Sequence, residues 1–266
     1  MKDSLLPALM KLAHEAGEAI MQVYRGDFAV HHKEDHSPLT EADLAAHRVI
    51  KDGLQWLTPG LPLISEEYEL APFAERQQWQ QYWLVDPLDG TREFVKRNDE
   101  FSVNIALIDC GRPVLGVVHA PALGLSYYAD GQAAYKQLDG QAAERIRARP
   151  LDLGHITVAA SRSHPGKKIQ AMLRNITIQH SEPHIVHMGS SLKICLVAEG
   201  KADVYPRLGL TSEWDTAAAQ CVLECAGGQL VDRHGLALQY NRKDTILNPE
   251  FFARGATAHD WNQYLE

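Results

Sequence analysis

Cysteine and long apolar runs are both scarce in this chain of 266 residues. The four cysteines, Cys110, Cys195, Cys221 and Cys225, form no Cys-x-x-Cys pair and no cluster with zinc-finger spacing. We interpret them as reduced, buried thiols. No stretch reaches the roughly 18 consecutive apolar residues of a membrane-spanning helix, and the N-terminal segment is not typical of a signal peptide. The sequence predicts a cytoplasmic protein without a transmembrane segment and leaves peripheral contact with the cytoplasmic face of the inner membrane open.

An excess of positive charge is also absent. Lysine and arginine number 26 against 34 aspartates and glutamates, which gives a formal net charge of −8. Nucleic-acid binding requires a basic face, so this balance argues against a nucleic-acid partner. A small anionic ligand remains compatible with the charge, because a bound metal ion can reverse the sign of the local potential.

Apolar periodicity predicts two helices at the start of the chain. The first runs from Leu5 to Val23 with Ser4 as its cap and Gly26 at its end. The second begins at a capping box formed by Thr40 and Asp43. Apolar runs and alternating segments follow, which predict an antiparallel sheet built from residues 61–64, 82–85, 101–107, 114–119, 125–129 and 133–136.

Strands and helices alternate beyond residue 150, which predicts an α/β second half. The predicted strands cover residues 156–160, 176–179, 185–187, 202–205 and 230–232, and the predicted helices cover residues 165–174, 190–198 and 215–225. The sequence therefore predicts two tightly packed units. Residues 1–152 form an α+β unit, and residues 153–266 form an α/β unit.

The stretch WLVDPLDGTREF, residues 83–94, joins a buried strand to two acids. Asp86 ends the apolar run, Pro87 stiffens the turn, and Asp89 points back toward the same side. Gly90 and Thr91 then begin a short predicted helix, whose N–H groups can bind phosphate. Two carboxylates beside an anion site would repel the anion, and a hard divalent cation such as Mg²⁺ between them removes this conflict.

Further acids stand at the ends of other predicted elements. Glu66 and Glu67 follow a short apolar run, and Asp215 follows Trp214 at the start of a helix, where the helix dipole favours an acid. We interpret Trp214 as a packing residue and Glu67 as an outer residue. Acids at element ends are more typical of a site than of an exposed face.

Taken together, these segments resemble the inositol monophosphatase superfamily. The resemblance rests on Asp43, Glu66-Glu67, Asp86-Pro87-Leu88-Asp89-Gly90-Thr91 and Trp214-Asp215 followed by Gly227-Gly228, and it covers most of the chain. It implies a layered αβαβα sandwich and a Mg²⁺-dependent, lithium-sensitive phosphatase. The segments YWLVDPLDGTREFVKRNDEFSVNIALID and GSSLKICLVAEGKADVYPR resemble the bacterial 3′(2′),5′-bisphosphate nucleotidases of sulfur assimilation, which remove the 3′-phosphate of adenosine 3′,5′-bisphosphate.

The resemblance also implies a role for each matching residue. Two or three Mg²⁺ ions would be held by Glu66, Asp86, the Leu88 carbonyl, Asp89 and Asp215. Asp43, Glu66 and Thr91 would be the catalytic residues: Glu66 would reach the attacking water, and Asp43 would hydrogen-bond Thr91, which orients that water. The substrate would be contacted by Glu66, Asp89, Gly90, Thr91, Arg92, Ser190, Ser191, Lys193 and Asp215.

Substrate selection is less sharply indicated. Lys193 at the start of a predicted helix is either a phosphate contact or a surface lysine behind a helix cap. Arg92 stands where the nucleotidase branch is expected to have lysine, but it keeps the positive charge. Residues 161–164 are either site-lining residues or an ordinary turn.

Two alternatives to the nucleotidase hypothesis remain open. An inositol or other sugar phosphate monophosphatase would use the same metal site with a different outer pocket. A non-catalytic RNA or protein partner that retains the fold belongs to another class of function. The filled metal-ligand positions and the negative net charge argue against this last alternative.

Overall fold

The computed structural model describes residues 2–32, 38–162 and 166–265. Its α-helices are α1 (Lys2–Tyr24), α2 (Glu41–Leu57), α3 (Phe73–Arg76), α4 (Thr91–Val95), α5 (Lys167–Gln179), α6 (Leu192–Ala198) and α7 (Ala217–Cys225). Short 3-10 helices cover Pro121–Leu123, Glu213–Asp215 and Trp261–Tyr264. Across these described ranges, no helix is both long and apolar enough to cross a bilayer.

Two small strands, β1 (Val30–His32) and β2 (Pro38–Thr40), pair with each other, and the other strands form two sheets. The larger sheet follows the chain order: β3 (Leu63–Ser65), β4 (Gln81–Asp89), β5 (Ser102–Asp109), β6 (Arg112–Ala120), β7 (Leu125–Ala129), β8 (Ala134–Leu138) and β9 (Glu144–Ile146). Only its first pair, β3 with β4, is parallel. The predicted antiparallel arrangement is thus confirmed from β4 onward.

The smaller sheet lies in the second half of the chain. Its strands are β10 (Thr157–Ala160), β11 (His184–His187), β12 (Val204–Arg207), β13 (Gln229–Asp232) and β14 (Phe251–Arg254), in the spatial order β11-β10-β12-β14-β13. Strand β10 pairs in parallel with β11 and β12, whereas β14 is antiparallel to both of its neighbours. The sheet is therefore mixed, because β14 runs in the direction opposite to that of the other four strands.

Alternating side chains bury both faces of the larger sheet. Trp83 and Val85 of β4 pack with α1 and α2, whereas Tyr82 and Leu84 point to the opposite face, where α6 and α7 lie. The smaller sheet covers the other side of α6 and α7, and its far face packs against α5 and the last 3-10 helix. These five layers confirm the predicted αβαβα sandwich. One core joins the two sheets, and the division at residues 152 and 153 stays a prediction.

Several local predictions are wrong, each for a physical reason. Helix α1 already includes Ser4, so this residue is not its cap. Residues 176–179 continue α5, because Met172 and Ile176 bury one helical face on the smaller sheet. Helix α6 begins only at Leu192, since Ser190 has a φ of +48°. Cys110 is exposed in a turn, although all four cysteines are free as predicted.

Helix α7 lies so close to β6 that one position in the strand has no room for a side chain. A Cβ atom on Gly116 would lie 2.5 Å from the Ala218 carbonyl oxygen and 2.8 Å from Cys221 Cβ. Such a contact forces a shift in the helix or the strand, because interiors are close-packed. The glycine thus lets α7 lie close to the sheet. Because α7 directly follows the segment that carries Asp215, its position also affects that residue.

We predict that Gly116→Ala lowers the free energy of unfolding by about 1–3 kcal/mol, the usual cost of overpacking a core. Urea denaturation followed by circular dichroism measures this change. Gly60→Ala is the control, since nothing lies within 4 Å of a Cβ atom at that position. Equal midpoints for the two variants would contradict the close approach of α7.

Candidate active site

A bulge at the end of β4 brings two acids to one face. Asp86 pairs with Asn104 and Asp89 pairs with Ser102, so three steps along β4 match two steps along β5. Without the extra residue, positions three apart on a strand would point to opposite faces. Because Asn104 and Ser102 share a face of β5, Asp86 and Asp89 share it as well. Gly90 follows with a φ of +89°, which ends the strand and starts α4.

The third acid of the site comes from the other half of the chain. Asp215 ends the 3-10 helix Glu213–Asp215, and its Oδ2 accepts the Ser212 N–H at 2.8 Å in a capping box. One carboxylate oxygen from each of Asp86, Asp89 and Asp215 lies within 4.8 Å of the others. We call these three carboxylates the acid cluster. The fold brings its members together although Asp89 and Asp215 are 126 positions apart in the sequence.

Glu66 lies beside this acid cluster. Strand β3 runs parallel to β4 with Ser65 opposite Val85, so Glu66 emerges next to Asp86. The two carboxyl groups share a hydrogen bond, which contributes to the raised pKa of Asp86. Glu67, the next residue, is half-buried.

Burial and mutual repulsion raise the pKa of all three acids. Burial, followed by the charges of Glu66, Asp89 and Asp215, raises the pKa of Asp86 well above its usual range. Burial raises the pKa of Asp89 to about 6, against the opposing effects of Lys193 and the Ser191 N–H. Burial and the charge of Asp89 likewise raise the pKa of Asp215. Several buried acids this close together are unfavourable unless protons or a cation neutralise them.

The donor chemistry of the acid cluster fits a hard divalent cation. Its oxygen ligands are the type that Mg²⁺ prefers. A backbone N–H group already holds one oxygen of each carboxylate: Leu88 on Asp86 at 3.0 Å, Ser191 on Asp89 at 2.5 Å, and Ser212 on Asp215 at 2.8 Å. The carboxylates are thus oriented before any ion arrives, as metal ligands commonly are.

Asp43 and Thr91 meet at the edge of the acid cluster. The Asp43 Oδ2 accepts both the N–H and the hydroxyl of Thr40 at 2.7 Å, which confirms the predicted capping box of α2. The Thr91 hydroxyl lies 3.4 Å from Asp43 Oδ1 and 3.2 Å from the Leu88 carbonyl oxygen, so it can donate to either. The contact between Asp43 and Thr91 is therefore present, although Thr91 divides its proton between two acceptors.

A cavity of about 620 Å³ opens from the acid cluster between the two sheets. Its lining includes the predicted residues Asp89, Gly90, Arg92, Ser190, Ser191, Lys193 and Asp215. Ser161 and Gly166 also line it, whereas residues 163–165 lie outside the described ranges. The structure thus brings these seven predicted residues, from both halves of the chain, to one cavity, whereas Asp43, Glu66, Asp86, Leu88 and Thr91 are not among the residues that line it.

Lys193 is buried, so the alternative of a surface lysine is wrong. Its Nζ donates to the Ser190 carbonyl at 2.6 Å and lies 5.3 Å from the centre of the Tyr205 ring. Burial lowers its pKa to about 8, while the charge of Asp89 opposes this shift. A buried ammonium beside the acid cluster offsets part of its negative charge.

Four residues of the site were not predicted individually: Ser102, Asn104, Tyr205 and Arg207. Ser102 and Asn104 contact Ser191 and Asp89 from β5. Tyr205 and Arg207 line the cavity from β12. Polar residues at every second position, Ser102 and Asn104, interrupt an otherwise apolar strand, and this is the signal that could have identified the first two.

Comparison with known proteins identifies the family. The sequence profile of the inositol monophosphatase family matches residues 1–264. The chain belongs to the inositol monophosphatase family. It is 48% identical over 249 residues to the 3′(2′),5′-bisphosphate nucleotidase CysQ of Salmonella typhimurium, covering 93% of this chain and 98% of that relative. The CysQ of Haemophilus influenzae is 39% identical over 274 residues, with 100% and 98% coverage.

Solved structures show the same fold. The crystal structure of CysQ from Bacteroides thetaiotaomicron, a bacterial member of the family, superimposes with a TM-score of 0.83 at 38% identity, covering 96% of this chain and 98% of that one. An IMPase of Thermotoga maritima has a TM-score of 0.78 at 24% identity, over 98% and 95% of the two chains. At this lower identity the likeness concerns the fold alone.

We predict that a divalent cation stabilises the protein more at neutral than at acidic pH. Because their pKa is raised, to about 6 for Asp89, these acids bind a proton more tightly in the folded chain than in the unfolded chain. Protonation therefore stabilises the fold fully below pH about 4, and this stabilisation is lost as the pH rises through the folded-state pKa. A cation restores the loss by binding the ionised acids. Melting temperatures of metal-free protein, with and without MgCl₂, should therefore differ more at pH about 7.5 than at pH about 5.

Potassium chloride of equal ionic strength is the control for screening of surface charges. A MgCl₂ effect that is absent, or that is the same at both pH values, would contradict the assignment of these acids as cation ligands.

Proposed function

We propose that the chain is a Mg²⁺-dependent phosphatase that hydrolyses the 3′-phosphate of adenosine 3′,5′-bisphosphate to AMP and phosphate. The observation that carries this proposal is the acid cluster, with Asp86 buried and Asp89 and Asp215 half-buried, at one end of a cavity large enough for a nucleotide. Relatives named 3′(2′),5′-bisphosphate nucleotidase, matched over nearly their whole length, support the choice of substrate. We further propose a cytoplasmic location, with peripheral membrane contact left to experiment.

The residues around the acid cluster would hold two Mg²⁺ ions. Glu66, Asp86 and the Leu88 carbonyl would form one set of ligands, and Asp86, Asp89 and Asp215 would form the other. When bound, such ions polarise phosphoryl oxygens and lower the pKa of water. Residues 1–152 would then supply most ligands, and residues 153–266 would supply Asp215.

The chain's own groups would position the phosphate and the water. The N–H groups of Gly90 and Thr91 at the start of α4 would receive the phosphate oxygens. Thr91, whose hydroxyl is within reach of Asp43, would orient the attacking water, and Glu66 would accept a proton from it. As water attacks, the bond between phosphorus and the ester oxygen would break, and the ester oxygen would take up a proton from solvent in the cavity as it leaves. No covalent intermediate with the protein is required.

The outer cavity favours a nucleotide bisphosphate over an inositol phosphate. Arg92, Lys193 and Arg207 line it and give it positive charge, which a second phosphate can use. Arg207 lines the cavity, and its guanidinium is held in place by a hydrogen bond from Nη2 to the Leu210 carbonyl at 2.7 Å. Apolar lining from Ala159, Ile169, Leu208 and Phe251 suits a nucleobase better than a ring of hydroxyl groups.

We predict that Asp89→Asn and Asp215→Asn each reduce turnover at least about a thousandfold, because each removes a negative charge that a metal ion needs at the reacting centre. Phosphate release measures turnover, and circular dichroism should show a retained fold. Asp139→Asn, at an exposed turn, is the matched control and should keep full activity. Turnover close to that of the unmodified protein in either site variant would contradict the metal assignment.

We predict a strong preference for adenosine 3′,5′-bisphosphate over inositol 1-phosphate when phosphate release is compared at equal concentrations with Mg²⁺. Arg207→Ala should raise KM for the bisphosphate about tenfold, the value of one charge-assisted contact, and should leave hydrolysis of p-nitrophenyl phosphate nearly unchanged. Preference for the inositol ester would favour the second candidate function. An equal KM change for both esters would remove Arg207 from substrate selection.

A further inference from the structure

Asn104 is a buried amide in direct contact with the acid cluster, and its role is not explained by packing. It lies in the middle of β5 with about 1% of its surface exposed. Its neighbours along the strand are Val103 and Ile105, and both belong to the apolar core on the opposite face. A polar side chain at such a position costs free energy unless its hydrogen bonds are satisfied.

The hydrogen bonds of Asn104 connect two segments that are far apart in sequence. Its Nδ2 lies 3.4 Å from Asp89 Oδ2, and its Oδ1 accepts the Ser191 hydroxyl at 2.8 Å. The Ser102 hydroxyl is 3.0 Å from the Ser191 hydroxyl and supports the same group from β5. The orientation of the amide follows from charge, because a carbonyl oxygen in place of Nδ2 would face a carboxylate.

Asp89 receives two donors on the same oxygen. The Ser191 N–H and the Asn104 amide both donate to Oδ2, and the Ser191 hydroxyl holds the Asn104 amide by donating to its Oδ1. Two donors on one oxygen fix the rotation of the carboxylate about its Cβ–Cγ bond. This rotation matters for the acid cluster, because one carboxylate oxygen of Asp89 lies within 4.8 Å of oxygens of Asp86 and Asp215.

We infer that Asn104 is a positioning residue that sets the divalent-cation affinity of the acid cluster by fixing the carboxylate of Asp89 against Ser191. This inference rests on the proposed function, because it assumes that the cluster binds a cation. Residues that hydrogen-bond a metal ligand from behind typically change metal affinity by about 10–100-fold when they are removed. The bond also couples the start of α6, which lines the substrate cavity, to a metal ligand of β4.

The test is a titration of metal-free protein with Mn²⁺, in which free Mn²⁺ is measured by electron paramagnetic resonance. Asn104→Leu keeps the shape of the side chain and removes its donor and acceptor. It should weaken at least one Mn²⁺ site by about 10–100-fold. Ser191→Ala removes the hydroxyl that Asn104 accepts but keeps the N–H on Asp89, so its effect should be smaller and in the same direction.

Ser126→Ala is the control for the loss of an ordinary buried hydrogen bond. Ser126 is buried in β7 and contacts His119 at 2.9 Å, away from the acid cluster. It should keep the Mn²⁺ affinity of the unmodified protein. Turnover adds a second readout: in Asn104→Leu the Mg²⁺ concentration for half-maximal activity should rise in parallel, whereas KM for substrate at saturating Mg²⁺ should change less than about twofold.

The possible results separate the two proposals. Unmodified protein that binds no Mn²⁺ would overturn the proposed function and this inference together. Unchanged Mn²⁺ affinity in Asn104→Leu and Ser191→Ala, combined with a lower melting temperature, would show a merely structural role and overturn this inference alone. If Asn104→Leu fails to fold, Ser191→Ala decides by the same criterion: weakened Mn²⁺ binding supports the inference, and unchanged binding overturns it.

Discussion

Repulsion among buried carboxylates is the constraint on which the rest of the site depends. One carboxylate oxygen from each of Asp86, Asp89 and Asp215 lies within 4.8 Å of the others, with Asp86 buried and the other two half-buried, and burial raises the pKa of each. Such a cluster is unfavourable for folding of the metal-free chain, and a protein retains it only where the charge is used. The surrounding structure acts to hold these groups together against their mutual repulsion.

The layered fold supplies that restraint from two directions. The bulge at the end of β4 turns two acids to one face, while the packing of α7 against β6 fixes the segment that presents the third. Backbone N–H groups then hold one oxygen of every carboxylate. The cavity lies where the two sheets and α6 meet, so a ligand bound there would contact both halves of the chain beside the acids.

The sequence predicts the elements and the acids well because both leave local signals. Alternation marks β4 to β8, helical spacing marks α1 and α2, and the acids follow apolar runs. Ser190 shows what local patterns miss: its φ of +48° is imposed by the turn into the cavity, so the helix predicted from there starts two residues later. Likewise, residues 176–179 extend α5 because tertiary burial of Ile176 decides between helix and strand.

Pairwise contacts between distant segments are the part that no local pattern predicts. The burial of Lys193 and the hydrogen bonds of Asn104 depend on which strand lies beside which helix. The burial of Lys193 changes its interpretation from a surface charge to a neighbour of the acid cluster, and the contacts of Asn104 with Asp89 appear only once β4, β5 and α6 are placed together. Family resemblance predicts the acids, whereas their supporting residues follow from the structure.

The most direct test of this account is a crystal of the protein soaked with Mn²⁺ and examined by anomalous diffraction. The account predicts at least one anomalous peak in contact with Asp86, Asp89 and Asp215 at oxygen–metal distances of about 2.0–2.3 Å, close to those of other hard divalent cations. Diffraction that shows Mn²⁺ elsewhere, with no peak among these three carboxylates, would contradict the claim that the cluster exists to hold a divalent cation.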